Sequence, residues 1–400
     1  MNCAREITEN LYWVGADDRR IALFENIYPV PKGVSYNSYL LLDEKTVLLD
    51  TVDRNASEQF LENVDAVLGD RKLDYLIVTH MEPDHCATMQ EVIVHHPEVK
   101  IVCNAKTVTM IKQFFDFDID KRAVLVKEGD TFESGTHTFH FVMAPMVHWP
   151  EVMIAYESTK GILFSADAFG AFGAIDGNLF ADEVNYESDW MDETRRYYTN
   201  IVGKYGMQVQ AVLKKAAGLD IRMICPLHGL IWRKDLNMIL DKYQKWSTYT
   251  PEENSVMIAY ASIYGHTEQA ADVLAAELSK NGVKNIAVYD VSATDPSYII
   301  SDAFRYSHVV FASVTYNNGI FPKMETLLHE FVAHNLQNRT IALIQNGTWA
   351  PTAGKQMMEI LSGLKKNTMM EQQVTLKSAM KAEQHEEIQN LAKAIAQSLA

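Results

Sequence analysis

From Val256 onward the chain alternates between two periodicities, and that alternation leaves few folds open. Apolar runs predict strands at Val256–Ala261, Asn285–Tyr289, Val309–Ser313, Ile341–Gln345 and Glu371–Leu376. Helical spacing predicts helices over Thr267–Lys280, Tyr298–Phe304, Pro322–Phe331, Gly354–Leu364 and Glu383–Leu399. Strands separated by helices pair through crossovers, so residues 251–400 are expected to form a doubly wound parallel sheet. Ligands of such sheets bind beyond the carboxyl ends of the strands. Three loops there are suitably furnished. Ser262-Ile263-Tyr264-Gly265-His266-Thr267 leaves the first strand and opens a helix, where backbone N–H groups and hydroxyls can cradle a phosphate. Thr315-Tyr316-Asn317-Asn318-Gly319 follows the third strand, and Asn346-Gly347-Thr348-Trp349-Ala350-Pro351 the fourth. Both combine amide donors, glycine and an aromatic able to lie against a flat ring. Each alone is an ordinary turn, since Asn-Gly is a common turn dipeptide. Three at consecutive strand ends argue for one phosphate-bearing ligand, whose identity periodicity leaves open. No G-x-G-x-x-G follows a strand, so a dinucleotide fingerprint is absent.

The whole chain, 400 residues, is too long for that one core and suggests two or three domains. The polar, proline-interrupted stretch from Ser247 to Ser255 marks a boundary, dividing residues 1–250 from 251–400. An apolar fraction of 48% with 22% charged residues is ordinary for a soluble globular protein. The net charge of −16 argues against nucleic acid or an anionic membrane as the main partner. No apolar run approaches the roughly 18 residues that span a bilayer. Met1-Asn2-Cys3-Ala4-Arg5-Glu6 lacks an apolar signal core, so a cytoplasmic location is expected. Cys3, Cys86, Cys103 and Cys225 are scattered with no CxxC, which encodes neither a disulfide framework nor a thiolate metal site. Cys86 and Cys225 are expected as small buried packing residues.

In the first domain, the apolar run from Leu73 to Val78 reads as a buried strand. Thr79-His80-Met81-Glu82-Pro83-Asp84-His85 follows it, on a turn into a predicted helix Ala87–His95. One His beside one Asp would be a polar loop with Asp84 as a helix cap. His-x-Glu-x-Asp-His puts four ligand-type side chains on a single turn. Three further stretches set a lone ligand-type residue at a strand end: Met146-Val147-His148-Trp149-Pro150, Leu163-Phe164-Ser165-Ala166-Asp167-Ala168, and Cys225-Pro226-Leu227-His228-Gly229. Singly, each is an ordinary hydrogen-bonded loop residue. Together the set His80, Glu82, Asp84, His85, His148, Asp167 and His228 supplies what two adjacent metal ions need, with one carboxylate bridging. Oxygen donors mixed with imidazole and no thiolate suit iron, manganese or hydrolytic zinc. The alternation around His137 and His140 sets them on opposite strand faces, outside this set. One long helix is expected over Tyr186–Ala217.

In this order and at these intervals, the motifs resemble those of the flavodiiron proteins (A-type flavoproteins) over essentially the whole chain. Supporting stretches are Val34-Ser35-Tyr36-Asn37-Ser38-Tyr39-Leu40, His148-Trp149-Pro150, Arg196-Tyr197-Tyr198-Thr199-Asn200-Ile201 and His228-Gly229-Leu230-Ile231-Trp232-Arg233-Lys234-Asp235. The phosphate loop is similar to the flavodoxin pattern S/T-x-T-G-x-T, with Tyr264 at the middle threonine. The resemblance implies an α+β, metallo-β-lactamase-like αββα sandwich over 1–250. A flavodoxin-like α/β domain, a doubly wound parallel sheet, would follow over 251–400. It implies one iron at His80, Glu82 and His148, a second at Asp84, His85 and His228, Asp167 between them, and FMN in the three loops. Hydrolases of this fold read His-x-His-x-Asp-His, with imidazole where this chain has Glu82. An anionic oxygen there favours a redox-active iron pair over zinc and lowers the charge of the centre, which stabilises ferric iron.

The activity so implied is that of an oxidoreductase in which FMN accepts electrons and the iron pair passes them to O2, giving water, to NO, giving N2O, or to both. Tyr197 or Tyr198 would donate a hydrogen bond to the substrate. The family's arrangement is a head-to-tail homodimer, or a dimer of dimers, with the flavin of one subunit facing the irons of the other. The chain holds no rubredoxin-like CxxC pair and no appended flavin reductase, so a separate donor is expected: rubredoxin, a deazaflavin or an NADH-linked reductase. The alternative is a zinc-dependent hydrolase of metallo-β-lactamase type tethered to a flavodoxin module. A non-catalytic electron carrier with a vestigial metal site is disfavoured by seven filled ligand positions.

Overall fold

The computed structural model describes residues 1–399, which divide into two compact units: Met1–Tyr198 with Met207–Tyr243, and Thr199–Gly206 with the chain from Gln244 onward. The first unit is built on two sheets. One orders its strands Arg5–Thr8, Leu11–Trp13, Tyr39–Leu42, Thr46–Leu49, Tyr75–Ile77, Lys100–Cys103 and Ala123–Leu125. The other orders Thr131–Glu133, Thr138–Met143, Met153–Glu157, Ile162–Phe164 and Met223–Cys225. Aromatic side chains join them: Tyr39 meets Phe164 with centroids 5.4 Å apart, and Tyr75 meets Phe132 at 4.7 Å. Thr46–Leu49 and Met153–Glu157 are buried along their whole length, as strands lying inside a layered fold must be.

In the second unit the strands are Ala287–Asp290, Glu253–Ala261, Tyr306–Tyr316, Thr340–Asn346 and Thr368–Leu376, paired in that order and all parallel. The sheet order departs from chain order at the first strand, the switch point where a doubly wound fold opens its binding crevice. Val256, Ile258, Val310 and Ile344 meet Leu274, Leu278 and Leu391 of the flanking helices in one buried cluster.

The sequence reading needs correcting in two places. The long helix expected over Tyr186–Ala217 is broken into Tyr186–Asp189, Met191–Tyr197, a π-turn Tyr198–Val202, a 3₁₀ turn Gly203–Tyr205 and Gly206–Ala216. The interruptions fall at Trp190 and over residues 198–205, and the last helix resumes at Gly206, where a Cβ would lie 2.3 Å from the Ser247 carbonyl and glycine permits the close backbone approach. The helix expected over Ala87–His95 starts earlier, as a single turn Pro83–Cys86, and resumes at Met89–His95. Proline is favoured at a helix's first position, which explains the early start. Cys86 and Cys225 are buried, as expected of packing residues. No described helix is long and apolar enough to cross a membrane.

Candidate metal centre and phosphate-loop cavity

All seven ligand-type side chains of the first unit are buried and converge. Donor atoms of His80, Glu82, His148 and Asp167 lie within 4.8 Å of one another, and so do those of Asp84, His85 and His228. Each comes from a segment beyond a strand end, Asp84 and His85 from the helical turn Pro83–Cys86 and the others from loops. His80 to His85 follow Tyr75–Ile77, His148 lies between Thr138–Met143 and Met153–Glu157, Asp167 follows Ile162–Phe164, and His228 follows Met223–Cys225. Asp167 joins the two groups. Its Oδ2 is 3.0 Å from Nε2 of His148 and 3.3 Å from Nε2 of His80, while its Oδ1 is 3.1 Å from Nε2 of His85. Glu82 Oε2 approaches Nε2 of His148 at 2.9 Å and of His80 at 3.3 Å. Both oxygens of Asp84 and Oδ1 of Asp167 are buried, and they make no hydrogen bond even though imidazole nitrogens lie 3.1 to 3.3 Å from Asp167 Oδ1 and Asp84 Oδ2. Such donors aim at a common centre rather than at one another.

The framework explains the aim. Asp50 accepts from the backbone N–H of Thr79 at 2.7 Å and its hydroxyl at 2.5 Å, fixing the start of the ligand turn. Glu151 Oε1 accepts from Nδ1 of His80 and from the Met81 N–H, both at 2.9 Å. The Ser35 carbonyl lies 2.7 Å from Nδ1 of His228. A carbonyl only accepts, so that nitrogen carries the proton and Nε2 is left to face the cluster. Asn37 Nδ2 donates to the carbonyls of Pro226 and Gly229 at 2.9 Å each, and the Tyr39 hydroxyl donates to Pro226 at 2.6 Å. The stretch from Val34 to Leu40 thereby frames the turn that carries His228.

The electrostatics fit two cations. Burial disfavours an imidazolium at His80, yet the charge of Asp167 and hydrogen bonds donated to Asp167, Glu151 and Glu82 hold its pKa well above the ordinary range. Against its own burial, hydrogen bonds to Asp167 and Glu82 and their charges raise His148 to about 9. Burial alone would push the Asp167 carboxyl up, but His80 and His85 hold it well down. A field strong enough to keep protons on buried imidazoles equally favours metal ions, whose binding releases those protons.

The two tyrosines part company. Tyr197 is fully buried, its ring centroid 5.3 Å from that of His228, and its hydroxyl has no protein partner. Tyr198 packs against Tyr243 with centroids 4.9 Å apart. Successive helical residues diverge by about 100°, and Tyr197 turns to His228 where Tyr198 turns to Tyr243. His137 stays outside the cluster, its Nδ1 3.2 Å from Glu157.

Several site neighbours escape a sequence reading. Asp50 and Glu151 lie on other loops, and nothing in their spacing marks them, while Ser35, on the strand Val34–Tyr36, belongs to a motif whose spacing does not show that its carbonyl meets His228. Glu25 sits on the tip of the hairpin Leu23–Phe24 and Tyr28–Pro29, where Glu25 and Asn26 take left-handed backbone, φ 50° and 57°. Glu25 is exposed as a residue, yet its carboxyl faces Glu82. Burial of that carboxyl and the Glu82 contact push its pKa up to about 8. Phe24, on the same hairpin, packs edge-on against His228 at 5.4 Å.

In the second unit, a cavity of about 800 Å³ opens at the strand ends. Its lining includes Ser262, Ile263, Tyr264, His266 and Thr267 of the first loop, Thr315, Tyr316, Asn317 and Asn318 of the second, and Asn346, Gly347, Thr348 and Trp349 of the third. Gly265 and Gly319 are not on its wall. Gly265 precedes the helix His266–Lys280 at φ +88°, a left-handed turn that glycine adopts without strain. The Thr267 hydroxyl accepts from Asn346 Nδ2 at 3.3 Å, which leaves its own proton free for a ligand. Asn317 and Asn318, at φ 49° and 60°, form the hairpin turn between Tyr306–Tyr316 and Gly319–Ile320, so the loop is both a turn and a wall of the cavity. Ser378 joins the lining from beyond the fifth strand, its backbone paired with both ends of the Asn346 amide at 3.0 Å. Tyr264 and Trp349 are 90% and 87% exposed, two aromatic faces at the mouth with nothing of their own unit over them.

Two family models match the chain, one described as ODP family beta lactamase over residues 34–229 and one as Flavodoxin over residues 258–397. The anaerobic nitric oxide reductase flavorubredoxin of Aeromonas hydrophila is 31% identical over 349 residues, covering 86% of this chain and 70% of that protein. Its namesake from Shigella flexneri is 29% identical over 388 residues, or 94% of this chain and 78% of the relative. Among solved structures, rubredoxin oxygen:oxidoreductase from Desulfovibrio gigas matches with a TM-score of 0.92 at 28% identity, covering 99% of this chain and 98% of that one. The flavodiiron protein from Giardia intestinalis matches at 0.94 and 25% identity, covering 100% and 97%.

Proposed function

Because this chain belongs to the flavodiiron protein family, an oxidoreductase family carrying FMN and two irons, we propose that it reduces NO, O2 or both at the seven-residue centre of its first unit. One observation carries the reading. A carboxylate, Glu82, stands in the first ligand group beside His80 and His148, and a second, Asp167, reaches both groups. In this proposal His80, Glu82 and His148 hold one iron, Asp84, His85 and His228 the other, and Asp167 bridges. Bound iron would supply two one-electron couples, and FMN in the cavity of the second unit a store of reducing equivalents. The protein's own residues do the rest. Buried imidazoles give up their protons to admit the cations. The hydroxyl of Tyr197, lacking any protein partner and carried on a ring that packs against His228, would offer a hydrogen-bond donor at the centre. Phe24 and Phe172, against Tyr197 and His228, keep water from the Asp84 side.

Residues 1–250 are assigned to the metal chemistry and 251–400 to the flavin, an assignment the two family matches support. A separate protein or cofactor, rubredoxin, a deazaflavin or an NADH-linked reductase, delivers electrons, and the working unit is a head-to-tail homodimer. A cytoplasmic location is part of the same reading, and fractionation of the source cells tests it. Elemental analysis with acid release of flavin, then anaerobic stopped-flow of the reduced protein against NO and O2, tests the function. Full zinc with no iron would return the reading to the hydrolase.

A further inference from the structure

We propose that Glu151 is a positioning residue that makes the two halves of the diiron centre unequal, so that the iron held by His80, Glu82 and His148 is the harder to reduce. The inference rests on the diiron reading above. The Glu151 side chain has no exposure at all, and a buried carboxylate needs partners. It has two, Nδ1 of His80 and the backbone N–H of Met81, both on Oε1 at 2.9 Å. Oε2 has no partner in the protein, so the cationic demand of His80 is what balances this charge. Its backbone is held as well, the Glu151 carbonyl accepting from Asn104 Nδ2 at 2.6 Å while Asn104 Oδ1 caps the helix Ala105–Phe114.

Among the described residues, no carboxylate takes the distal N–H of either imidazole in the other half. His228 gives its Nδ1 proton to the neutral carbonyl of Ser35, and Nδ1 of His85 is buried with no partner. An imidazole whose distal N–H points at a carboxylate is a stronger donor to its metal than one backed by a carbonyl. Loss of such a partner typically lowers metal affinity about 10–100-fold. The added electron density favours the ferric over the ferrous ion. With iron bound, the Asp84, His85 and His228 side would be the easier to reduce, and the Glu151–His80 pair would hold the other site at the lower potential.

Glu151→Gln is the test, because the amide oxygen still accepts both hydrogen bonds and only the charge is lost. Spectroelectrochemical titration of the iron-loaded holoprotein, followed by the EPR signal of the half-reduced centre, reads the two one-electron potentials separately. The more negative one is expected to rise by the equivalent of a 10–100-fold change, about 59 to 118 mV, with the other nearly fixed and the half-reduced signal diminished. Equal movement of both potentials, or none, would overturn the proposal. Should Glu151→Gln hold no iron, Co²⁺ binding to the apoprotein under chelator competition decides. Weakening at one of two sites, with recovery in Glu151→Asp, supports the proposal; equal weakening at both overturns it. A wild-type protein that holds no iron would instead sink the diiron reading, so the two failures are distinguishable.

Discussion

Nε2 of His85 lies 3.0 Å from Nε2 of His228. The His228 nitrogen has no proton in the neutral ring, since Nδ1 carries it, and Nε2 of His85 also meets Asp84 at 3.3 Å and Asp167 at 3.1 Å. Two nitrogens bound at right angles to an ion about 2.1 Å away would be about 3.0 Å apart, which is the spacing seen. His85→Ala is therefore expected to lower iron from about two to about one per chain with FMN unchanged. Retention of both irons would show that Asp84 and His228 hold the second ion without it.

Asp167 reaches both ligand groups, so its loss should be felt by both ions. Asp167→Ala is expected to empty the centre and abolish turnover while the flavin stays bound. His137→Ala, whose imidazole faces Glu157 instead, should keep its full iron content. Iron retained by the Asp167 variant would refute the bridging role.

The flavin loops depend on backbone shapes that side chains disturb. Gly265 is left-handed at φ +88°, and a Cβ on Gly347 would lie 2.7 Å from Cα of Pro351. Gly265→Val should cost about 1–2 kcal/mol of loop strain, weakening FMN roughly tenfold, and Gly347→Val should do at least as much. Flavin titration of the apoprotein measures both, and iron content should not change. Unaltered FMN affinity in both would remove these loops from the binding site.

His308 supplies a pH effect remote from the metals. It is buried in the strand Tyr306–Tyr316, with Nε2 2.9 Å from the Ser398 hydroxyl, and burial lowers its pKa from 6.5 to about 4. The unfolded chain takes up this proton first. The stability given by neutral His308 is thus fully present above pH 6.5 and is lost as pH falls toward 4. His308→Gln, which cannot protonate, should show a smaller fall in the temperature of flavin release between those limits. Parallel curves for the variant and wild type would contradict this.

A site shared between subunits predicts complementation. One chain carries His80→Ala with Asp167→Ala, the other Gly265→Val with Gly347→Val, assayed at an FMN concentration low enough to leave the second chain without flavin. Random pairing makes half the dimers mixed, each with one competent site, so roughly a quarter of wild-type activity should return. Heterodimers as inactive as either parent would exclude the shared site.

What the sequence determined by itself is local. Alternating periods specify the parallel sheet of the second unit, because strand and helix spacing are properties of neighbouring residues. The turn His80–His85 and the three strand-end loops were legible for the same reason, their residue types and offsets being written consecutively. Tertiary structure decided which groups meet across the chain. Glu151 reaches His80 over 71 positions, Asp50 reaches Thr79 over 29, and Ser35 reaches His228 over 193, contacts that depend on how strand ends align. It also sets Tyr197 against His228 and Tyr198 against Tyr243, and it interrupts the expected long helix at Trp190 and over residues 198–205. Residue types name the metal donors. The partners that orient them are chosen by packing, because a hydrogen bond's direction is set by the backbone on both of its sides.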